Sequence, residues 1–175
     1  HTLGGTWREN TYPGLTCDVP SHGYTYSFEP NPNWSHKYPP GAEIQNYFES
    51  TSTKYGIDEL TQYNQEITSC NYIDGQWHIE TKTGTKDVAD VVIAATGVLH
   101  VPSYPNIKGI EDFEGDIFHT ARWNHNVPLD GKRVAVIGTG STGAQIVSGL
   151  YKRASKLSQF QRTAQWTSYQ LQQPK

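Results

Sequence analysis

Apolar residues are spaced in several distinct ways along the chain, and each spacing predicts a different element. Positions 1–38 are rich in Gly, Pro, Asn and aromatic residues and show no helical period. They predict an ordered, loop-rich segment with a short extended piece at 24–28. Pro39-Pro40-Gly41-Ala42-Glu43 then opens a helix that runs to about Lys54, with Ile44, Tyr47, Phe48 and Thr51 as its apolar stripe and Gly56 as its stop. Three extended runs follow at 60–72, 76–83 and 88–95. Gly84 marks the hairpin between the last two, and Val91-Val-Ile-Ala-Ala95 has the continuous apolar character of a buried central strand. Thr96-Gly97 ends that run. A stretch with Pro102, Pro105 and Gly109 reads as a linker, and 116–120 as a short extended piece. A strand begins near Val134. The helix after it carries Gly143, Val147, Leu150, Tyr151 and Ala154 on one face. The sum is one interrupted α/β unit followed by a second α/β unit, with no internal repeat.

The second unit holds the clearest chemistry. Arg133-Val-Ala-Val-Ile-Gly138-Thr139-Gly140-Ser141-Thr142-Gly143-Ala-Gln145 is a strand, a glycine-rich turn and a helix start. Gly138 permits the tight turn, Gly140 lets the backbone approach phosphate oxygens, and Gly143 lets the helix pack against its strand. Unpaired amides at the helix start face an anion there, so the pattern suits a dinucleotide pyrophosphate. An NAD site carries an acid about 20 residues after the first glycine. This chain has no Asp or Glu after Asp130. The second strand reads Leu157-Ser-Gln-Phe-Gln161-Arg162-Thr163, with Arg162 near the place of that acid. A guanidinium donates two parallel hydrogen bonds to phosphate oxygens, so NADPH is favoured over NADH. A solvated arginine at a strand end fits the same position when read alone.

Composition changes the picture little. The 175 residues suffice for a domain with its own core. Residues 1–130 carry 7 Lys/Arg and all 17 Asp/Glu, and residues 131–175 carry 7 Lys/Arg and no acid. A basic end of this kind usually points to nucleic acid or membrane. Here it coincides with the phosphate fingerprint, which explains it better, while Lys152, Arg153 and Lys156 read as a solvated helix face. Basic and aromatic residues are not interleaved as a nucleic-acid surface requires. No apolar run reaches membrane-spanning length. Cys17 and Cys70 form no framework and no Cys-x-x-Cys, so reduced thiols in a cytoplasmic protein are the default. The 7 histidines lack ligand spacing, and no metal is expected. The chain contains no Met and opens inside a motif, which suggests a piece of a longer protein whose targeting signal is not visible.

Three segments together resemble the flavin-dependent monooxygenases of the Baeyer–Villiger type. Phe113-Glu-Gly115-Asp-Ile-Phe-His119-Thr-Ala-Arg-Trp123 resembles that family's fingerprint of Phe, Gly, His and Trp, although Asn124 stands where Pro or Asp is common. Gly4-Gly5-Thr6-Trp7-Arg8-Glu9-Asn10-Thr11-Tyr12-Pro13-Gly14-Leu15-Thr16-Cys17-Asp18, running on to Ser21 and Tyr24, is similar to its FAD-side motif. Ala95-Thr96-Gly97 resembles the turn that leaves the FAD domain. The N- and S-oxidising flavin monooxygenases share the front of the fingerprint and usually lack the Trp.

The resemblance implies an α/β flavoprotein with two dinucleotide-binding, Rossmann-like domains, present in part. Residues 1–97 would belong to the FAD domain, 98–130 to a linker, and 131–175 to the start of the NADPH domain. The family's first glycine-rich turn would precede His1, and its active-site arginine would follow Lys175. The implied cofactors are FAD and NADPH. The implied reaction inserts one oxygen of dioxygen into a small-molecule ketone through a flavin peroxide, giving an ester or lactone. An N- or S-oxidising enzyme and a non-catalytic nucleotide-binding piece are the alternatives.

The same resemblance implies roles for particular residues. Asp18 is the catalytic candidate, beside the flavin and paired with the arginine. Read alone it is a turn aspartate bonding its own backbone before Pro20. Trp7 and Tyr24 would pack beside FAD, with Thr6, Arg8 and Val19 as weaker contacts and Ile67 set against the adenine. Read alone, these aromatics are ordinary half-buried residues and Ile67 a core residue. Thr16, Cys17 and Asp18 would approach NADP, together with Gly138, Thr139, Gly140, Ser141, Thr142, Gly143, Gln145, Arg162 and Thr163. Cys17 has no His and acid pattern to make it a nucleophile. His119 and Trp123 read as linker anchors.

Overall fold

A computed structural model describes residues 2–166. The last nine residues of the segment 131–175 therefore lie outside the described residues. Elements in chain order are α1 (Thr6–Glu9), α2 (Gly41–Lys54), α3 (Ile57–Leu60), β1 (Ile67–Ile73), β2 (Gln76–Thr81), β3 (Lys86–Ala89), β4 (Arg133–Ile137), α4 (Ser141–Leu150) and β5 (Lys156–Phe160).

The helix α2 forms where its spacing predicts. Pro40 occupies the N-cap, where its missing N–H costs nothing, and Gly56 follows the helix in the left-handed region at φ 65°. Its buried positions Ile44, Tyr47, Thr51 and Ser52 recur at helical spacing. Ile44 and Tyr47 meet Cys17 and Trp34 in one apolar cluster, with Trp7, Tyr24 and Phe48 around it. The buried Tyr47 hydroxyl keeps its polar end satisfied. It donates to the Glu29 carbonyl at 2.8 Å and accepts from the Tyr26 amide at 2.8 Å.

Strands β1, β2 and β3 form an antiparallel meander in that order. The β1–β2 hairpin turns on Asp74 and Gly75, both at positive φ (51° and 89°), the Asp-Gly pair that two-residue hairpins favour. Strands β4 and β5 pair in parallel, from Arg133 opposite Lys156 to Ile137 opposite Phe160, with α4 as the crossover. A second cluster holds this unit together: Tyr12, Val136, Ile146 and Leu150 are buried, and Leu15, Trp123, Val134, Val147 and Leu157 pack around them.

Several expectations are corrected. The first extended run begins at Ile67 rather than position 60, because Leu60 belongs to the helical turn α3. Positions 24–28 form no strand; Tyr26 and Glu29 close a tight turn by an isolated bridge. Position 116–120 is also not a strand. The run 91–95 is neither a strand nor buried: Val91 is 73% and Ile93 85% exposed. Its composition suits a covered strand, but no described residue pairs with it. On β4 only the face of Val134 and Val136 is covered, and Ile137 on the other face is exposed. On the second helix Ile146 takes the buried place, while Tyr151 lies exposed just past the helix end.

Candidate nucleotide site and its neighbouring acid

Two glycines of the turn have a visible steric reason. Gly138 adopts φ 122°, which side-chain-bearing residues rarely reach. Its amide donates to the Phe160 carbonyl at 2.9 Å, and its carbonyl accepts from Gln159 Nε2 at 2.9 Å, so the turn is tied to β5. A Cβ on Gly143 would stand 2.6 Å from that same carbonyl, so only glycine lets α4 pass this close. Gly140 differs, because a Cβ there would meet nothing within 4 Å. Gly140 is also the N-cap of α4 and supplies no side-chain cap, and no acid stands in the first helical turn. The result is an open, uncapped helix start with a partial positive charge, which fits a pyrophosphate.

The loop from the first motif reaches this helix start. Ser141 Oγ donates to Asp18 Oδ2 at 3.1 Å. Gln145 Nε2 donates to the Thr16 carbonyl at 2.9 Å, and Gln145 Oε1 accepts from the Tyr12 hydroxyl at 2.9 Å and from the Thr16 amide at 3.4 Å. Backbones touch as well: a Cβ on Gly14 would stand 2.6 Å from the Gln145 carbonyl, and one on Gly149 2.7 Å from the Pro13 carbonyl. Burial pushes the Tyr12 phenol above its ordinary pKa, against a bond to Thr142 and with Asp18 adding in the same direction.

The remaining residues divide. Trp7 Nε1 donates to the Tyr24 hydroxyl at 3.0 Å, and the two rings meet edge to face at 5.6 Å, making one aromatic wall. Arg162 and Thr163 are exposed just past β5, and Arg162 forms no ion pair with a described residue. Cys17 turns inward. Its side chain is 2% exposed inside the Trp34 and Ile44 cluster, its amide is taken by the Pro39 carbonyl, and burial pushes its thiol up. The thiol is a core group of that cluster. Ile67 opens β1 in the meander at a strand irregularity and is 58% exposed, so it is not a core residue among the described residues. Val19 is exposed beside Asp18.

Some residues of this region gave weaker sequence signals. Gly149 stands inside a helix, where an isolated glycine costs about 1 kcal/mol and signals close packing. Glu9 carries no signal of its own in the sequence, yet it gathers two guanidinium groups and an imidazole: Arg8 at 2.9 Å, Arg122 at 3.5 Å and His100 at 3.3 Å. Burial raises its carboxyl, but the Arg8 bond and the charges of His100 and Arg122 outweigh this and hold it below its ordinary value. Glu9 thereby ties α1 to the segment that follows Gly97. His119 lies in that segment too; its Nδ1 accepts from the Ala121 amide at 3.1 Å. Trp123 packs edge-on against Phe118 and joins the Tyr12 cluster.

The chain is similar to several known proteins. An uncharacterized monooxygenase of Mycobacterium tuberculosis is 53% identical over 164 residues, 94% of this chain and 33% of the relative. A Baeyer-Villiger monooxygenase of Streptomyces coelicolor is 43% identical over 167 residues, 94% of this chain and 32% of the relative. The chain thus spans about a third of the length of these relatives. Among solved structures, cyclohexanone monooxygenase from Rhodococcus sp. Phi1 bound to NADP+ superposes with a TM-score of 0.86 at 36% identity, over 95% of this chain and 32% of that one. An oxidized steroid monooxygenase bound to NADP gives 0.85 at 38% identity, over 95% of this chain and 33% of that one. The fold matches an α/β segment of these two-domain flavoprotein monooxygenases. The model of the flavin-binding monooxygenase-like family matches residues 8–173, and the chain belongs to that family.

Proposed function

We propose that the whole protein is an NADPH- and FAD-dependent monooxygenase that inserts one oxygen of dioxygen into a ketone to give an ester or lactone. Residues 1–97 would be part of its FAD domain, 98–130 the linker and 131–175 the start of the NADPH domain. The observation that carries the reading is the meeting of Asp18 with the uncapped start of α4 through Ser141. A family acid and a phosphate cradle, distant in sequence, stand side by side. Baeyer-Villiger relatives and NADP-bound neighbours support the same class.

The flavin, reduced by NADPH, supplies the oxygen chemistry when bound. The residues of this chain bind, orient and set charge. Gly138 to Gly143 would hold the pyrophosphate of NADPH, and Arg162 with Thr163 would read its 2′-phosphate. Trp7 and Tyr24, set edge to face, would offer one ring face and one ring edge to the flavin. Asp18 supplies a carboxylate that holds a cation near the reacting centre.

Turnover of the purified whole protein with NADPH, a cyclic ketone and a thioether tests the reading. Ester or lactone is expected. Sulfoxide alone would point to the S-oxidising relatives. Absence of bound flavin and of NADPH oxidation would leave a non-catalytic nucleotide-binding protein.

A further inference from the structure

We propose that Gln145 is a positioning residue rather than a nucleotide contact: it fixes the segment 12–18 over α4 and so sets where the Asp18 carboxylate stands. The inference rests on the function proposed above and reassigns a residue expected to touch NADP. The argument is one of hydrogen-bond capacity. The amide nitrogen has two donors, and they go to the Thr16 carbonyl (2.9 Å) and Ser141 Oγ (3.4 Å). The amide oxygen has two acceptor positions, and they serve the Tyr12 hydroxyl (2.9 Å) and the Thr16 amide (3.4 Å). Every site is used within the protein, so a nucleotide contact would have to break one of them.

The pattern has a clear geometric effect. One side chain grips both backbone polar groups of Thr16, the N–H and the carbonyl, two residues before Asp18. Tyr12, 6% exposed in the core below, buttresses the same oxygen. Gly14 and Gly149 bring the two backbones into contact on either side, which leaves the loop little freedom to slide along the helix. Ser141 receives Gln145 and itself donates to Asp18, so the acid ends a short chain of bonds that starts at Tyr12. Misplacement of a reacting group by about 1 Å costs on the order of 100-fold in rate.

A double-mutant cycle in the whole protein tests this. The variants are Gln145→Ala, Asp18→Asn and both together, read by kcat and KM with NADPH and ketone, and by binding of adenosine 2′,5′-bisphosphate, which lacks the nicotinamide. Gln145→Ala is expected to lower kcat about tenfold or more, to leave the bisphosphate affinity unchanged, and to have no further effect in the Asp18→Asn background. Losses that multiply, or a weaker bisphosphate affinity, would overturn the inference while NADPH turnover left the proposed function standing. Absence of NADPH oxidation in the unmutated protein would overturn both. Tyr12→Phe keeps the ring in its cluster and removes one bond, so the same pattern at smaller amplitude is expected even if Gln145→Ala fails to fold. A merely structural role would reduce active enzyme equally in both backgrounds.

Discussion

The Pro13 carbonyl lies so close to Gly149 that an added Cβ would stand 2.7 Å from its oxygen. Alanine in an exposed helix interior is normally better than glycine by about 1 kcal/mol. Here the sign reverses. Gly149→Ala is expected to destabilise by about 1–3 kcal/mol, as overpacking against backbone does. Urea denaturation decides it, and a stabilised variant would show that the segment 12–18 gives way freely.

Arg162 stands past β5 with no charge partner among the described residues. Hydrogen bonds to charged groups contribute about 1.5–3 kcal/mol. Arg162→Ala should therefore raise the KM for NADPH about 10- to 100-fold and leave the KM for NADH nearly unchanged. Equal effects on both coenzymes would refute a 2′-phosphate contact.

Ile44 is fully buried between Cys17, Trp34 and Tyr47. Ile44→Ala is expected to cost about 2–5 kcal/mol through lost burial and the cavity left behind. A melting temperature close to that of the unmutated protein would show that this cluster contributes little.

Glu9 gives stability a defined pH dependence. Its folded carboxyl lies below the ordinary value of 4.5. The contribution is therefore fully present above pH 4.5 and is lost as pH falls through the lower folded value. Glu29 beside Lys54 and Asp130 beside Arg153 shift the same way at the surface. Denaturation at about pH 3 and about pH 6 should show a smaller gain for Glu9→Gln than for the unmutated protein. An equal gain would remove Glu9 from the acid limb.

What could be read in advance follows from the range of each signal. The spacing of Ile44, Tyr47 and Thr51 is local, and α2 forms where it points. The glycines at 138 and 143 encode a turn and a close approach that the backbone then displays. Gln145 and Thr16 bond across 129 positions, a separation that leaves no periodic trace. Cys17 shows a further limit: a motif conveys which residues cluster, not which way each side chain turns, and its thiol turns into the core. The run 91–95 reads as buried because it is apolar, but burial needs a cover that hydropathy cannot name.

A few residues of loop separate Tyr12, seated in the β4–α4 cluster, from Cys17, seated in the α2 cluster. Loss of either cluster removes one of the two anchors of that segment. Heating should therefore produce one cooperative transition spanning both, with amides near Ile44 and Ile146 exchanging at a common global rate rather than as separate foldons.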